Sequence, residues 1–123
     1  MSKARIAFER AFKTNPFTIR CVDLYSTVLW HLNEKEALYA LSLKCKQNWP
    51  ESPETFVVQG NYFSSILANE KAIESFRKAQ SSDENYGYSY FLEGYDWLSL
   101  NNLIEAENSF SRLRKIQPDS FMP

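Results

Sequence analysis

The segment SPETFVVQGNYFS, residues 52–64, decides the predicted fold, because its residue pattern returns later in the chain. The pattern is an aromatic residue, a glycine four positions later, and a second aromatic three positions after that. It consists of Phe56, Gly60 and Phe63 in one copy, and of Tyr90, Gly94 and Trp97 in the other. A pattern that returns after 34 residues with the same residue types indicates an internal repeat.

A second pattern, within AIESFRKAQ (residues 72–80), has the same period. Its members are Ala72, Phe76 and Ala79, then Ala106, Phe110 and Leu113, and two periods earlier Ala4, Phe8 and Ala11. Pro16, Pro50 and Pro118 form a third series, which Glu84 interrupts. The phase predicts one domain over residues 1–123, with a half repeat at 1–18 and repeats at 19–52, 53–86 and 87–120.

Each repeat is predicted to hold two antiparallel helices. Apolar residues recur at helical spacing, and Phe76 of the second helix should pack between Gly60 and Ala79, which lets the helices approach closely. Neither helix can bury its apolar face alone, so neighbouring repeats must stack. Seven helices are predicted, near 2–14, 18–32, 35–48, 53–66, 69–81, 86–100 and 103–116.

Composition excludes several function classes. The net charge of −1, from 14 basic and 15 acidic residues, argues against a nucleic-acid or membrane surface. Only three glycines occur, and no phosphate-binding loop is present. One histidine and two cysteines, Cys21 and Cys45, form no metal-site or disulfide pattern, so we expect reduced thiols, no cofactor and no catalysis.

The repeat resembles the tetratricopeptide repeat over essentially the whole chain, in its period and in its aromatic, small and Ala-x3-Phe-x2-Ala positions. The resemblance implies an all-α superhelix, an α-solenoid of about three and a half repeats. Gln59 and Glu93 depart from it, because the family usually has leucine there. In repeat 19–52 the second helix carries Leu38, Ser42 and Cys45 in phase, and a one-residue offset is an alternative alignment.

Three strings carry a narrower resemblance. LYSTVLWHL (24–32), SPETFVVQGNYFS and AIESFRKAQ are similar to the cell-division-cycle twenty-seven family, subunit three of the anaphase-promoting complex. This implies a non-catalytic scaffold of a ubiquitin ligase that acts in mitosis, in the nucleus and cytoplasm. It also implies partners among the other subunits and coactivators whose C-terminal Ile-Arg tails are bound.

In tetratricopeptide proteins, defined positions of each first helix line a concave face. Carried onto this chain, they give the candidate peptide-binding residues Asp23, Thr27, Trp30, His31, Glu54, Asn61, Tyr88, Phe91, Tyr95 and Leu98. For the adjacent Trp30 and His31, ordinary packing and peptide contact both remain open. A lone histidine makes neither a triad nor a metal site.

For an Ile-Arg tail we predict three kinds of contact. Asn61 would bond the peptide backbone, in line with its repeat equivalents Thr27 and Tyr95; alternatively, it bonds only the neighbouring helix. Phe91 and Leu98 would form the isoleucine pocket. Asp23 or Glu54 would pair with the arginine.

Two other functions are possible for such a chain. One is a co-chaperone-like adaptor, which would hold a terminal carboxylate with lysine and arginine, and the listed face has few cations. The other is a regulatory repeat region of a larger enzyme. The sequence also lacks a polar capping helix after residue 116, which suggests a fragment of a longer array or self-association through the repeat ends.

Overall fold

The structure, a computed structural model, describes residues 22–116, and this part of the chain contains six α-helices. They are α1 Val22–His31, α2 Lys35–Asn48, α3 Pro53–Ser65, α4 Asn69–Ser82, α5 Gly87–Ser99 and α6 Leu103–Ile116. The predicted helix 2–14, the half repeat 1–18, the beginning of helix 18–32 and the end of repeat 87–120 lie outside the described residues. The other predicted helices are confirmed to within one residue at each end.

Helix bounds repeat with the period of the sequence. The second helices begin at Lys35, Asn69 and Leu103, and the first helices α3 and α5 begin at Pro53 and Gly87. In repeat 19–52, Leu38 and Cys45 are fully buried and Ser42 is nearly so. The in-phase alignment is therefore correct, and the alternative one-residue offset is wrong.

The turn inside each repeat uses one left-handed residue at the same place. Asn33, Leu67 and Asn101 have φ values of 58°, 63° and 60°. The next residue closes each turn by donating its backbone N–H to a carbonyl five residues back, as Ala68 does to Phe63 at 2.8 Å. Asparagine tolerates this conformation, whereas leucine is rarely found in it.

Helix pairs pack through the predicted large-to-small contact. Phe76 is fully buried with Val57, Ala72 and Ala79, and a Cβ on Gly60 would lie under 3.0 Å from the Phe76 ring. Gly94 stands in the same relation to Phe110. The helices stack in chain order, with α4 against both α3 and α5, and with α1 and α2 against α3.

Glu93, which departs from the family pattern, is buried among three donors. Arg77 Nε, Gln80 Nε2 and Trp97 Nε1 donate to its carboxylate at 3.3, 2.7 and 3.0 Å. These bonds satisfy a charge that would otherwise be costly inside the protein. The departure therefore replaces an apolar contact between α4 and α5 with a hydrogen-bonded one.

Candidate peptide-binding face

The first helices of the three repeats, α1, α3 and α5, surround a cavity of about 310 Å³. Phe76 of α4 reaches it from behind. The lining residues are Thr27, Trp30, His31, Asn61, Ser64, Phe76, Tyr88, Phe91, Leu92, Tyr95, Asp96 and Ser99. Its size falls within the usual range for ligand pockets, about 300–1,000 Å³.

Most of the candidate residues meet at this cavity. Those that line it are Thr27, Trp30, His31, Asn61, Tyr88, Phe91 and Tyr95. Asp23, Glu54 and Leu98 are not part of the lining. The predicted apolar pocket of Phe91 with Leu98 is therefore formed instead by Phe91 with Leu92 and neighbouring aromatic rings.

Asp23 is already engaged within the protein. Tyr86 Oη donates to its Oδ2 at 2.6 Å, and the backbone N–H of Leu24 donates to its Oδ1 at 2.8 Å. Burial raises the pKa of Asp23, and the bond from Tyr86 opposes that rise. The structure thus places this carboxylate in a contact between α1 and the start of α5, not toward a ligand.

A second tie lies beside it. The hydroxyls of Thr27 and Tyr88 are 2.5 Å apart, so residues of the first and third repeats bond directly across α3. We call this part of the face, formed by Asp23, Thr27, Tyr86 and Tyr88, the closed half. Its polar groups satisfy one another, which leaves them less free to bind a peptide.

Asn61 is buried and directs its amide toward α1. Its Nδ2 donates to Ser26 Oγ at 2.8 Å and to Thr27 Oγ1 at 3.2 Å. Its donors are therefore used by the neighbouring helix, as in the alternative interpretation from the sequence. Asn61 still lines the cavity, where it supports Thr27.

Trp30 and His31 lie at the other side of the cavity. Trp30 is 40% exposed, and its ring meets His31 edge-to-face with centroids 4.9 Å apart. Trp30 Nε1 donates to Ser64 Oγ at 3.2 Å, and Ser64 Oγ donates to Asp96 Oδ1 at 3.0 Å. We call Trp30, Ser64 and Asp96, which link all three repeats, the open half.

Asp96 is a site residue that the sequence analysis missed. It is only 6% exposed, and its Oδ2 is buried without a hydrogen-bond partner among the described residues. Burial raises its pKa from 3.8 to about 7, and the bond from Ser64 only partly opposes this. An acid next to Tyr95 and Trp97 in an apolar helix was the one sequence signal available.

The cavity is aromatic and lacks strong cations. Among the described residues, its lining contains no lysine or arginine, and Asp96 is its one carboxylate. Phe91 lies against Tyr95, with ring centroids 4.9 Å apart at 75°. Such a lining favours apolar groups and hydrogen-bond donors over anions.

Two further observations concern residues 22–116. No group of three histidine, cysteine, aspartate or glutamate side chains in this part of the chain is placed to hold a metal ion. None of its helices is both long and apolar enough to cross a membrane. Cys45 is fully buried, and burial raises the pKa of its thiol to about 12.

Comparison with known proteins agrees with this fold and these strings. The anaphase-promoting complex subunit CDC27 of Saccharomyces cerevisiae is 33% identical over 89 residues, which cover 72% of this chain and 12% of that protein. The chain is a tetratricopeptide-repeat protein that resembles CDC27. Anaphase-promoting complex subunit 8 of Dictyostelium discoideum is 31% identical over 99 residues, or 80% of these repeats and 17% of its own length.

The fold of these tetratricopeptide repeats also matches a solved structure. The Cut9–Hcn1 hetero-tetramer of the anaphase-promoting complex superimposes with a TM-score of 0.81 at 18% identity, over 85% of this chain and 20% of that one. No protein-family profile matches the chain. The repeats thus span only a small part of the curated relatives that they match.

Proposed function

We propose that this chain is a non-catalytic scaffold that binds other proteins within the anaphase-promoting complex in cell-cycle control. Two named relatives are subunits of that complex, and the similarity extends over most of the described residues. A face built from three stacked helices, with a cavity between them, suits protein binding better than chemistry. The nucleus and cytoplasm are the expected compartments, and self-association through the repeat ends belongs to the same proposal.

The cavity is proposed to take a C-terminal peptide tail that ends in Ile-Arg. The observation that carries this is the aromatic cavity shared by three consecutive repeats, which an extended chain could cross. The isoleucine would lie against Phe91 and Leu92, where burying its side chain is worth about 1.5–3 kcal/mol. The peptide backbone would pass Thr27, Asn61 and Tyr95.

A co-chaperone-like role is less well supported. Such adaptors hold a terminal carboxylate with several cations. Within the described residues, His31 is the only side chain in the lining that can carry a positive charge. A role as a regulatory part of a larger enzyme has no residue that favours it.

Binding can be tested by titrating a labelled peptide that ends in Ile-Arg against the whole chain. The control peptide has the same composition and ends in Arg-Ile. Ser99→Trp should fill the cavity mouth, because Ser99 is exposed and lines it. Ser81→Trp adds the same ring at an exposed site on α4, away from the lining.

We expect the Ile-Arg peptide to bind wild type and Ser81→Trp alike, and to bind Ser99→Trp at least about tenfold more weakly. Equal binding of both peptides, or of both variants, would remove tail binding from the cavity. The scaffold role is tested separately by affinity capture from mitotic extract with mass spectrometry. Absence of anaphase-promoting complex subunits from the captured proteins would contradict it.

A further inference from the structure

The open half of the face contains an incomplete hydrogen-bond chain. An indole N–H can only donate, so Trp30 fixes Ser64 Oγ as its acceptor. The Ser64 hydroxyl proton then points to Asp96 Oδ1. The chain runs in one direction, from Trp30 through Ser64 to Asp96, and ends at an Oδ2 atom that no described residue meets.

That last oxygen is unsatisfied in either protonation state. When Asp96 is neutral, its remaining O–H has no acceptor, and when it is ionised, its oxygen has no donor. Buried polar groups are nearly always bonded, and one left alone costs about 1–3 kcal/mol. Because Asp96 lines the cavity, a bound group can supply the missing partner.

We propose that Asp96 is the cation-binding residue of this face, and that its carboxylate receives the guanidinium group of an arginine side chain in the cavity. The inference rests on the proposed binding of peptides at the same cavity. It replaces Asp23 and Glu54 as the expected arginine partners, because Asp23 is bonded to Tyr86 and Glu54 lies outside the lining.

The surroundings favour guanidinium over other donors. The lining offers no competing lysine or arginine, and the rings of Phe91 and Tyr95 stand beside the site. A guanidinium is planar, weakly hydrated and able to lie on aromatic rings while it donates to a carboxylate. Rotation about the terminal torsion of Asp96, which is soft, would turn Oδ2 to the cavity.

The test compares an arginine with its uncharged isostere. The peptide ending in Ile-Arg and the same peptide ending in Ile-citrulline are titrated against wild type and Asp96→Asn. Glu54→Gln is the matched control, because it removes one negative charge from the same face outside the lining. Asp96→Ser provides a second uncharged variant, and circular dichroism checks that each variant is folded.

For wild type we expect the arginine peptide to bind roughly 10- to 100-fold more tightly than the citrulline peptide. This preference should disappear in Asp96→Asn and Asp96→Ser and persist in Glu54→Gln. If the arginine preference is the same in the Asp96 variants as in wild type, the inference is overturned, while tail binding survives.

A small probe separates the two proposals. N-acetyl-arginine amide at millimolar concentration should shift the NMR signal of the Trp30 indole N–H in wild type but not in Asp96→Asn. If that shift occurs while neither peptide binds, the cation site is supported and the Ile-Arg tail is rejected. If neither the probe nor the peptides bind wild type, both proposals are overturned.

Discussion

The two halves of the groove face hold buried aspartates in opposite conditions. Asp23, in the closed half, accepts a 2.6 Å bond from Tyr86 across two repeats. Asp96, in the open half, accepts from Ser64 and has a second oxygen without a described partner. Burial raises both pKa values, yet only Asp23 is fully bonded. The comparison suggests that the closed half holds the repeats together and the open half is left for a ligand.

Removal of the cavity floor should have the largest effect, because it would break both halves at once. Phe76 is fully buried, so we expect Phe76→Ala to lower the free energy of unfolding by about 3–5 kcal/mol. Phe110 occupies the same repeat position but is only partly buried. Phe110→Ala should cost clearly less, about 1–3 kcal/mol. Urea denaturation measures both, and equal losses would contradict the stacking described here.

Stability against pH should separate the two aspartates next. The folded-state pKa of Asp96 is raised to about 7, so between pH 4 and 7 the unfolded chain has lost a proton that the folded chain keeps. Stability from this group is therefore highest at low pH, falls as pH rises toward 7, and then levels off. The full loss is roughly 4 kcal/mol.

This loss is measured as a difference between wild type and Asp96→Asn. Urea denaturation at pH 5 and pH 7.5 should show the variant gaining stability relative to wild type as pH rises. The same comparison for Asp23→Asn should give a smaller change with pH, because Tyr86 donates to the ionised form of Asp23. Parallel curves for wild type and Asp96→Asn would refute the assignment of a neutral buried acid.

The closed half is sharpened by removing one hydroxyl at a time. Tyr86→Phe leaves the buried carboxylate of Asp23 without its side-chain donor, and should cost about 1–3 kcal/mol. Tyr88→Phe removes a bond between two neutral hydroxyls, and should cost about 0.5–1.5 kcal/mol. Thermal or urea unfolding at pH 7.5 gives the order. A larger loss for Tyr88→Phe would argue against a structural role for Asp23.

The smallest effect concerns two adjacent serines. Ser64→Ala removes the donor to Asp96, so it should cost about 1 kcal/mol and raise the pKa of Asp96 further. Ser65 donates only to the carbonyl of Tyr62 in its own helix, and Ser65→Ala should change stability by less than about 0.5 kcal/mol. NMR titration of the Asp96 carboxyl carbon measures the pKa. An unchanged value in Ser64→Ala would remove Ser64 from the hydrogen-bond chain.

Much of the fold follows from the sequence because its repeat is strict. The period placed α2 to α6 within one residue of their observed bounds, and it identified Phe76 against Gly60 as the central contact. These features depend on local helix periodicity and on matching large and small residues. Both are written along a stretch of chain shorter than one repeat pair.

The candidate site was predictable only in part. Helical positions placed Trp30, His31 and Phe91 on the correct face, but they could not tell which polar side chains were already bonded. The period says nothing about the hydroxyl of Tyr86, which reaches Asp23 from 63 residues away. For the same reason Asp23 was assigned to a ligand and Asp96 was overlooked.

The sequence by itself determined the period, the helices and the contact between large and small residues inside each pair. Only the tertiary structure decided which carboxylate is bonded and which keeps an unpaired oxygen. The physical reason is that helix formation and pair packing depend on neighbours within one repeat. The burial and partners of an aspartate depend on how successive repeats stack, which brings side chains 32 to 63 residues apart into contact.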